Sequence, residues 1–517
     1  VLAEYHDVTL ITHQPVDLSA IGSRFNIDLS RVKLRCVEDL PFDLMAPITA
    51  EYDLFINGSH FSFVPSRAKH SIMFVYFPVL GMKSWAPSLR QWVGRILLRE
   101  LRVPQFREGF YMLQELGRGR YRWSAKEATV EIPFSGWKRD TRMQIVAGSF
   151  RPDGWPPVPV RVMCGDQVLA EASLNTTMGN YENIDFVLPR TCIEDGKARL
   201  TLTSDTFFAR DAGVDMYDFR QVGIAVAAVR TRSWRYYLYE LVFERLFPEW
   251  GLRLHGIPED PSLEHIRTYD LLCPISRFVS HWVTQSWGLD GRILYPPVDV
   301  GDFQPGKKRR MILSVGRFFP HSHEKKFPEM VQAFAELARQ ELQSWELHLA
   351  GGVAEDPLSQ DYYRKVQSLA EGLPVVLHPN VDFEELRQLY SQATLYWHAT
   401  GYGENEARHP EKLEHFGITP VEAMAAGCVP IVYGKGGPAE IVEHDKSGFH
   451  WETLDELKGF TRAAITDPSL VVRLQAGAIQ RASHFSEEEF AVRLLQLVVQ
   501  VVSRQDEVCM SPHEAAT

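Results

Sequence analysis

Apolar residues recur along this chain at two different spacings, and the change between them divides it. Over residues 8–78, short β-branched runs alternate with more polar stretches: VTLIT (8–12), VKLRCV (32–37), DLFING (53–58) and SIMFVYFP (71–78). Strands spaced with room for helices between them predict a mainly parallel sheet. From about Tyr121 to Arg232 the strand-like runs crowd together: ATVEI (128–132), MQIVA (143–147), VRVMC (160–164), NIDFVL (183–188), ARLTLT (198–203) and QVGIAVAAV (221–229). Turn-rich pieces such as RPDGWPP (151–157) separate them and no long helical period intervenes, which predicts an all-β sandwich inserted into the first α/β domain.

The α/β pattern then returns. Helices are predicted near 236–247 and 277–287, with strands at YDLLCPIS (269–276) and ILYPPV (293–298). After the basic linker GKKRR (306–310) come the runs MILSVG (311–316), WELHLAGG (345–352), PVVLHP (374–379), TLYWHA (394–399) and CVPIVY (428–433). Helices are predicted between them near 327–342, 358–371 and 383–392, and a last one over 485–503 precedes a polar tail. The domain boundaries expected are 1–119, the insert 120–232, 233–305, 306–505 and the tail 506–517. Val1 stands where the end of a helix is expected, so a first strand, its loop and most of a helix are expected to be absent from this chain.

At about 100–200 residues per domain, 517 residues make two to four domains. Apolar residues at 45% and charged residues at 23% describe a folded globular protein. The net charge of −11 argues against a nucleic-acid partner, whose phosphates need basic residues. The most apolar long stretch, 416–434, contains Glu422, Pro420 and Pro430, so no spanning helix is expected. Cys36, Cys164, Cys192, Cys273, Cys428 and Cys509 lie far apart with no C-x-x-C, which suits free thiols in a reducing cytoplasm.

One segment bears on localisation. Residues 90–122 carry Arg90, Arg95, Arg99, Arg102, Arg107, Arg118, Arg120 and Arg122 against Glu100, Glu108 and Glu115, with Trp92, Ile96, Leu97, Leu98 and Leu101 as an apolar side. It reads either as an amphipathic helix packed on its own domain or as a surface for anionic lipid. The second reading adds peripheral contact with the inner face of the membrane to a cytoplasmic protein.

The chemistry concentrates in EHFGITPVEAMAAG (414–427). Thr419 can cap a helix that starts at Pro420, with Glu422 three positions later, as in a capping box, and Gly427 at the stop. The loop Phe416–Thr419 would then aim backbone N–H groups at an anion, with Glu414 flanking the opening. Arg317 directly follows the strand MILSVG and Lys325 comes eight residues later. In open α/β sheets ligands bind beyond the carboxyl ends of strands, so the two cations and the loop together point to a diphosphate site.

SVGRFFPHSHEKK (314–326), WHATGYGE (397–404) and EHFGITPVEAMAAGCVPIV (414–432) resemble the retaining glycosyltransferases of family 4, the "group 1" type with a GT-B fold. YPPVD (295–299) and SRFVSHWVTQSWG (276–288) resemble the same family, and Glu414 and Glu422 match its Glu-x7-Glu pair. The β insert, ending DFRQVGIAVAAVR (218–230), resembles that of some bacterial surface-polysaccharide glycosyltransferases. The resemblance implies an α/β, GT-B type fold with two Rossmann-like domains facing a cleft. It implies that Arg317 and Lys325 hold the nucleotide diphosphate as the glycosidic bond breaks. Phe416, Gly417, Ile418 and Thr419 would add backbone donors, Glu414 would orient the sugar hydroxyls and Glu422 would hold the ribose.

No metal or other cofactor is implied, and the chain has no D-x-D triplet. Tyr76 stands where relatives often carry a His near the reacting sugar, so it is the acceptor-side candidate; a Tyr can donate a hydrogen bond but is a poor base near neutral pH. The function implied is hexose transfer, with mannose the first candidate, from a nucleotide sugar to a glycan or lipid-linked acceptor in bacterial surface-polysaccharide assembly. The alternative is a non-catalytic glycan- or nucleotide-sugar-binding protein. Two patterns are set aside: GKGGPA (434–439) satisfies G-x-G-x-x-A but opens only a short helix, and His321 with His323 reads as a solvated H-x-H.

Overall fold

Past Lys308 each apolar run becomes a strand of one parallel sheet. The computed structural model describes residues 2–25, 27–78, 104–116, 119–134, 139–152, 154–212, 220–232, 261–320, 323–340 and 344–509. These fall into two compact units, one made of residues 58–60, 72–79 and 271–517, the other of the rest. The first of these holds a six-stranded sheet of β1 (Arg309–Val315), β2 (Glu346–Gly351), β3 (Val375–Pro379), β4 (Ala393–His398), β5 (Val429–Tyr433) and β6 (Phe449–Trp451). Their order is β3-β2-β1-β4-β5-β6, parallel throughout. The strand order reverses between β1 and β4, the place where doubly wound sheets bind ligands.

The central strands are apolar at successive positions because helices cover both faces. Phe327, Met330, Val331, Phe334 and Leu337 recur at helical spacing on α1 (Phe327–Gln340) and pack on Ile312, Leu347 and Trp397. α2 (Pro357–Ala370) and α3 (Phe383–Gln392) start at Asp356 and Asp382, whose side chains accept from the N–H of Ser359 and Glu385. β6 and two further helices, Leu454–Thr466 and Pro468–Ala482, complete this unit beyond what periodicity marked out. No strand forms at 293–298. Pro296 and Pro297 have no N–H for a ladder, and a single bridge joins Val298 to Ser486.

In the other unit two antiparallel sheets share one apolar core. Gln167–Leu174, Val158–Cys164, Lys197–Ser204, Glu127–Pro133 and Gln105–Phe106 follow one another in the first. Glu182–Leu188, Thr141–Gly148, Ala225–Thr231, Gly119–Ser124 and Phe110–Leu116 make the second. Val130, Val160 and Leu200 meet Ile145, Ile184 and Val226 between them. The antiparallel strands start at Gln105, ahead of residue 120. The described part of 90–122 is therefore strand, not helix: Phe110 and Tyr111 are core residues and Arg122 is 4% exposed. Residues 79–103, with Arg90, Arg95, Arg99, Arg102 and their apolar neighbours, lie outside the described residues, as do Arg118 and the helix expected at 236–247.

Val8–Thr12 pairs in parallel with Val32–Cys36 in the sandwich-bearing unit, and Ile72–Val75 in parallel with Leu271–Pro274 in the other. The fold class is thus α/β, with parallel pairing in both units beside the antiparallel sandwich. Among the described residues no helix is long and apolar enough to cross a membrane.

Candidate functional site

The site is built where β1 and β4 end. Gly316 follows β1, and the Lys325 side chain lies directly over its backbone. A Cβ on Gly316 would stand 2.4 Å from Lys325 Cγ and 2.6 Å from its Cε. This route brings Lys325 Nζ to 2.5 Å from Glu414 Oε2, with both side chains 16% exposed. His398, the last residue of β4 and 2% exposed, places Nε2 3.3 Å from the same oxygen. Burial alone would push the Glu414 carboxyl up, but the Lys325 charge and the His398 hydrogen bond win and hold it well below the usual range. Burial pushes His398 down, so its ring is neutral and donates from Nε2.

Backbone contacts fix the loop that carries Glu414. Gly437 N–H donates to the Glu414 carbonyl at 2.8 Å. A Cβ on Gly436 would lie 2.4 Å from that carbonyl, and one on Gly437 2.3 Å from the Phe416 carbonyl. Gly436 and Gly437 of GKGGPA serve this close approach. Phe416 is 3% exposed between Tyr295 and Phe485, at 5.9 and 5.6 Å between ring centroids, so it offers its backbone alone.

The helix that follows differs from expectation. It runs Ile418–Ala425 with Gly417 as N-cap, at φ 108, and no side chain caps it. Thr419 is inside the helix, Pro420 is not its first residue, and there is no capping box. Gly417 can turn in a left-handed conformation, so the helix starts earlier and its first N–H groups remain for an anion. Glu422 is free of capping and accepts from Tyr390 Oη at 2.7 Å. Burial raises its carboxyl to about 7 although that hydrogen bond lowers it.

The other sequence candidates are placed as follows. Arg317 is exposed, its guanidinium 5.8 Å from the Phe319 ring. Tyr76 Oη donates to the Gly58 carbonyl at 3.0 Å and its ring meets His60 edge-on at 5.6 Å. His323 is not solvated: its ring stands edge to face with His415, 4.4 Å between centroids. The sequence reading passed over His398, His415, Tyr390 and the Lys326–Glu404 pair at 3.2 Å, which with Lys412–Glu404 at 3.1 Å anchors the loop bearing Lys325. His398 was open to discovery, since it closes a strand of the expected sheet. Among the described residues no group of three or more His, Cys, Asp or Glu is placed to hold a metal ion.

The Gly316 contact yields a clean expectation. Gly316→Ala pushes the flexible Lys325 stem aside while the packed sheet stays in place. The thermal midpoint should then move little, while affinity for a nucleoside diphosphate drops roughly tenfold, the scale of one charged hydrogen bond. Calorimetry with the diphosphate checks this; undiminished affinity would show that Lys325 does not depend on Gly316.

Residues 300–481 match the family model described as glycosyl transferases group 1. The chain is 30% identical over 241 residues to the GDP-Man:Man(3)GlcNAc(2)-PP-Dol alpha-1,2-mannosyltransferase of Dictyostelium discoideum, over 43% of this chain and 45% of that protein. It is 34% identical over 226 residues to the human protein of the same name, over 40% of this chain and 43% of that one. The chain thus spans less than half the length of these curated relatives. Among solved structures it is similar to sucrose-phosphate synthase from Thermosynechococcus elongatus, at 20% identity and a TM-score of 0.39 over 47% of this chain and 62% of that one.

Proposed function

We propose that this protein is a retaining, metal-independent glycosyltransferase that moves a hexose, mannose first among candidates, from a nucleotide sugar to a lipid-linked glycan. The observation that carries the reading is the Lys325–Glu414–His398 group beside the uncapped helix at Ile418, at the switch point of the β3-β2-β1-β4-β5-β6 sheet. The match of residues 300–481 to group 1 glycosyl transferases supports it. The names of the relatives support GDP-mannose as donor and a lipid-linked acceptor, hence work at a membrane face. Those relatives, from Dictyostelium discoideum and Homo sapiens, lend nothing to a bacterial setting.

The chemistry follows from where charge develops. As the glycosidic bond breaks, negative charge grows on the leaving diphosphate. Lys325 has three N–H donors, so it can keep one on Glu414 and turn others to the phosphate. Arg317, exposed at the end of β1, and the N–H groups of the helix at Ile418 add fixed positive potential. These cations take the part that a metal plays in other transferases. Glu414, held ionised, accepts from the sugar's hydroxyls and fixes its orientation. Glu422 holds the ribose through its carboxyl, and the leaving phosphate helps to take the acceptor's proton on the same face.

Nucleotide release from GDP-mannose, UDP-glucose and their analogues, with chelator present and a polyprenyl-linked glycan as acceptor, tests the proposal. Release from at least one donor and a product that keeps the donor's anomeric configuration are expected. No turnover of any donor, or an inverted product, would overturn it. Arg317→Ala should cost about 2–4 kcal/mol of transition-state stabilisation, as for the loss of one preorganised charge partner. Steady-state kcat/KM reads this directly.

A further inference from the structure

Around Glu414 the protein leaves polar atoms without partners. His323 Nδ1 and His415 Nε2 are buried and make no hydrogen bond. His415 lies flat on Phe77, 4.0 Å between centroids at 9°. Its backbone carbonyl accepts from Ser276 Oγ at 2.6 Å, so both ring and backbone are held. His323 sits edge-on to it at 4.4 Å with a left-handed backbone, φ 60, unusual for a residue with a side chain. Unpartnered buried nitrogens and a strained backbone both cost free energy, and both gather at one wall of one site.

The chemistry of these nitrogens narrows what would satisfy them. Burial disfavours the charged ring in both residues, and pushes His415 down to about 3. Each is therefore a neutral imidazole with one N–H and one lone pair. In either tautomer a hydroxyl satisfies the unpartnered nitrogen, since it can both donate and accept. Next to the carboxylate of Glu414, which only accepts, the lone pairs of these rings and that carboxylate together call for hydrogen-bond donors. Phosphate oxygens at neutral pH have none to offer; sugar hydroxyls do.

We infer that His323 and His415 form, with Glu414, the wall that accepts hydrogen bonds from the hydroxyls of the transferred sugar, and so set which sugar is taken. This rests on the nucleotide-sugar reading above and gives it a specificity determinant. His415→Phe keeps the stacking on Phe77 and removes the acceptor, while His323→Gly removes the ring at a backbone angle glycine adopts freely. Calorimetry on the full chain compares GDP with GDP-mannose, and with GDP-mannose analogues that each lack one ring hydroxyl.

Each variant should bind GDP-mannose roughly tenfold more weakly and bind GDP within about twofold of the unmodified protein. One deoxy analogue should bind the unmodified protein more weakly yet suffer no further loss on His415→Phe, which is the mark of a direct contact. His415→Gln, which restores an acceptor, should recover part of the loss. Equal loss of GDP and GDP-mannose, or no loss of either, would overturn the assignment. An unmodified protein that binds neither GDP nor any nucleotide sugar of the donor panel would instead overturn the functional reading beneath it.

Discussion

Glu414→Gln should lower turnover at least a hundredfold and also destabilise the fold by about 2–3 kcal/mol. Both effects come from one atom: Glu414 Oε2 receives Lys325 Nζ at 2.5 Å and His398 Nε2 at 3.3 Å. With the carboxylate gone, the Lys325 charge remains where its side chain is 16% exposed, without its counter-charge. Breaking a buried pair from one side costs more than removing both members. Glu414→Gln/Lys325→Met should therefore regain most of the stability lost by Glu414→Gln and none of the activity. Urea denaturation of the three proteins, beside their kcat values, separates the two roles. A double variant no more stable than the single one would show that the pair does not hold this loop.

Glu422→Gln should stabilise the protein at alkaline pH and leave it nearly unchanged in mild acid. The Glu422 carboxyl is raised from 4.5 to about 7 because it is buried, with Tyr390 Oη as its partner at 2.7 Å. Between those values the folded state keeps a proton that the unfolded chain has released. Its stabilising effect is complete below the unfolded pKa and is lost as pH rises through about 7. The variant cannot lose that proton, so by pH 8 it should exceed the unmodified protein by about 2–3 kcal/mol. Comparing urea midpoints of the two proteins from pH 5 to pH 9 cancels every other titration. A pH-independent difference would refute it. Glu414 has the opposite linkage: its lowered carboxyl stabilises the fold above the ordinary carboxylate range and loses that effect in acid.

The two glutamates illustrate what spacing can and cannot say. Eight residues apart in the sequence, they look alike, and both face the same loop and helix. One is driven down by a cation that arrives from residue 325 and the other is driven up by burial against Tyr390. Neither partner is near in the chain, so no local pattern could have told them apart.

Local signals alone determined much of this protein. The five apolar runs from MILSVG to CVPIVY became β1 to β5, since a strand covered on both faces must be apolar at each position. The closely spaced runs in 128–203 became sandwich strands, since short strands parted by turns can pair antiparallel and bury apolar side chains between two sheets. Arg317, Lys325 and the 414–422 loop could be named because strand ends and helix starts can be read locally. The tertiary structure decided the rest. Phe110–Leu116 joined the sandwich though its arginine-rich surroundings suggested a helix, because Phe110 and Tyr111 are core residues there. Gly417, not Thr419, starts the helix, because only a glycine permits the turn that sets Glu414 against Lys325. His323, His398 and His415 acquire meaning only when β1, β4 and the Glu414 loop come together. Propensity and burial periodicity act over a few residues, whereas charge pairing and close backbone approach act between segments that meet only in the fold.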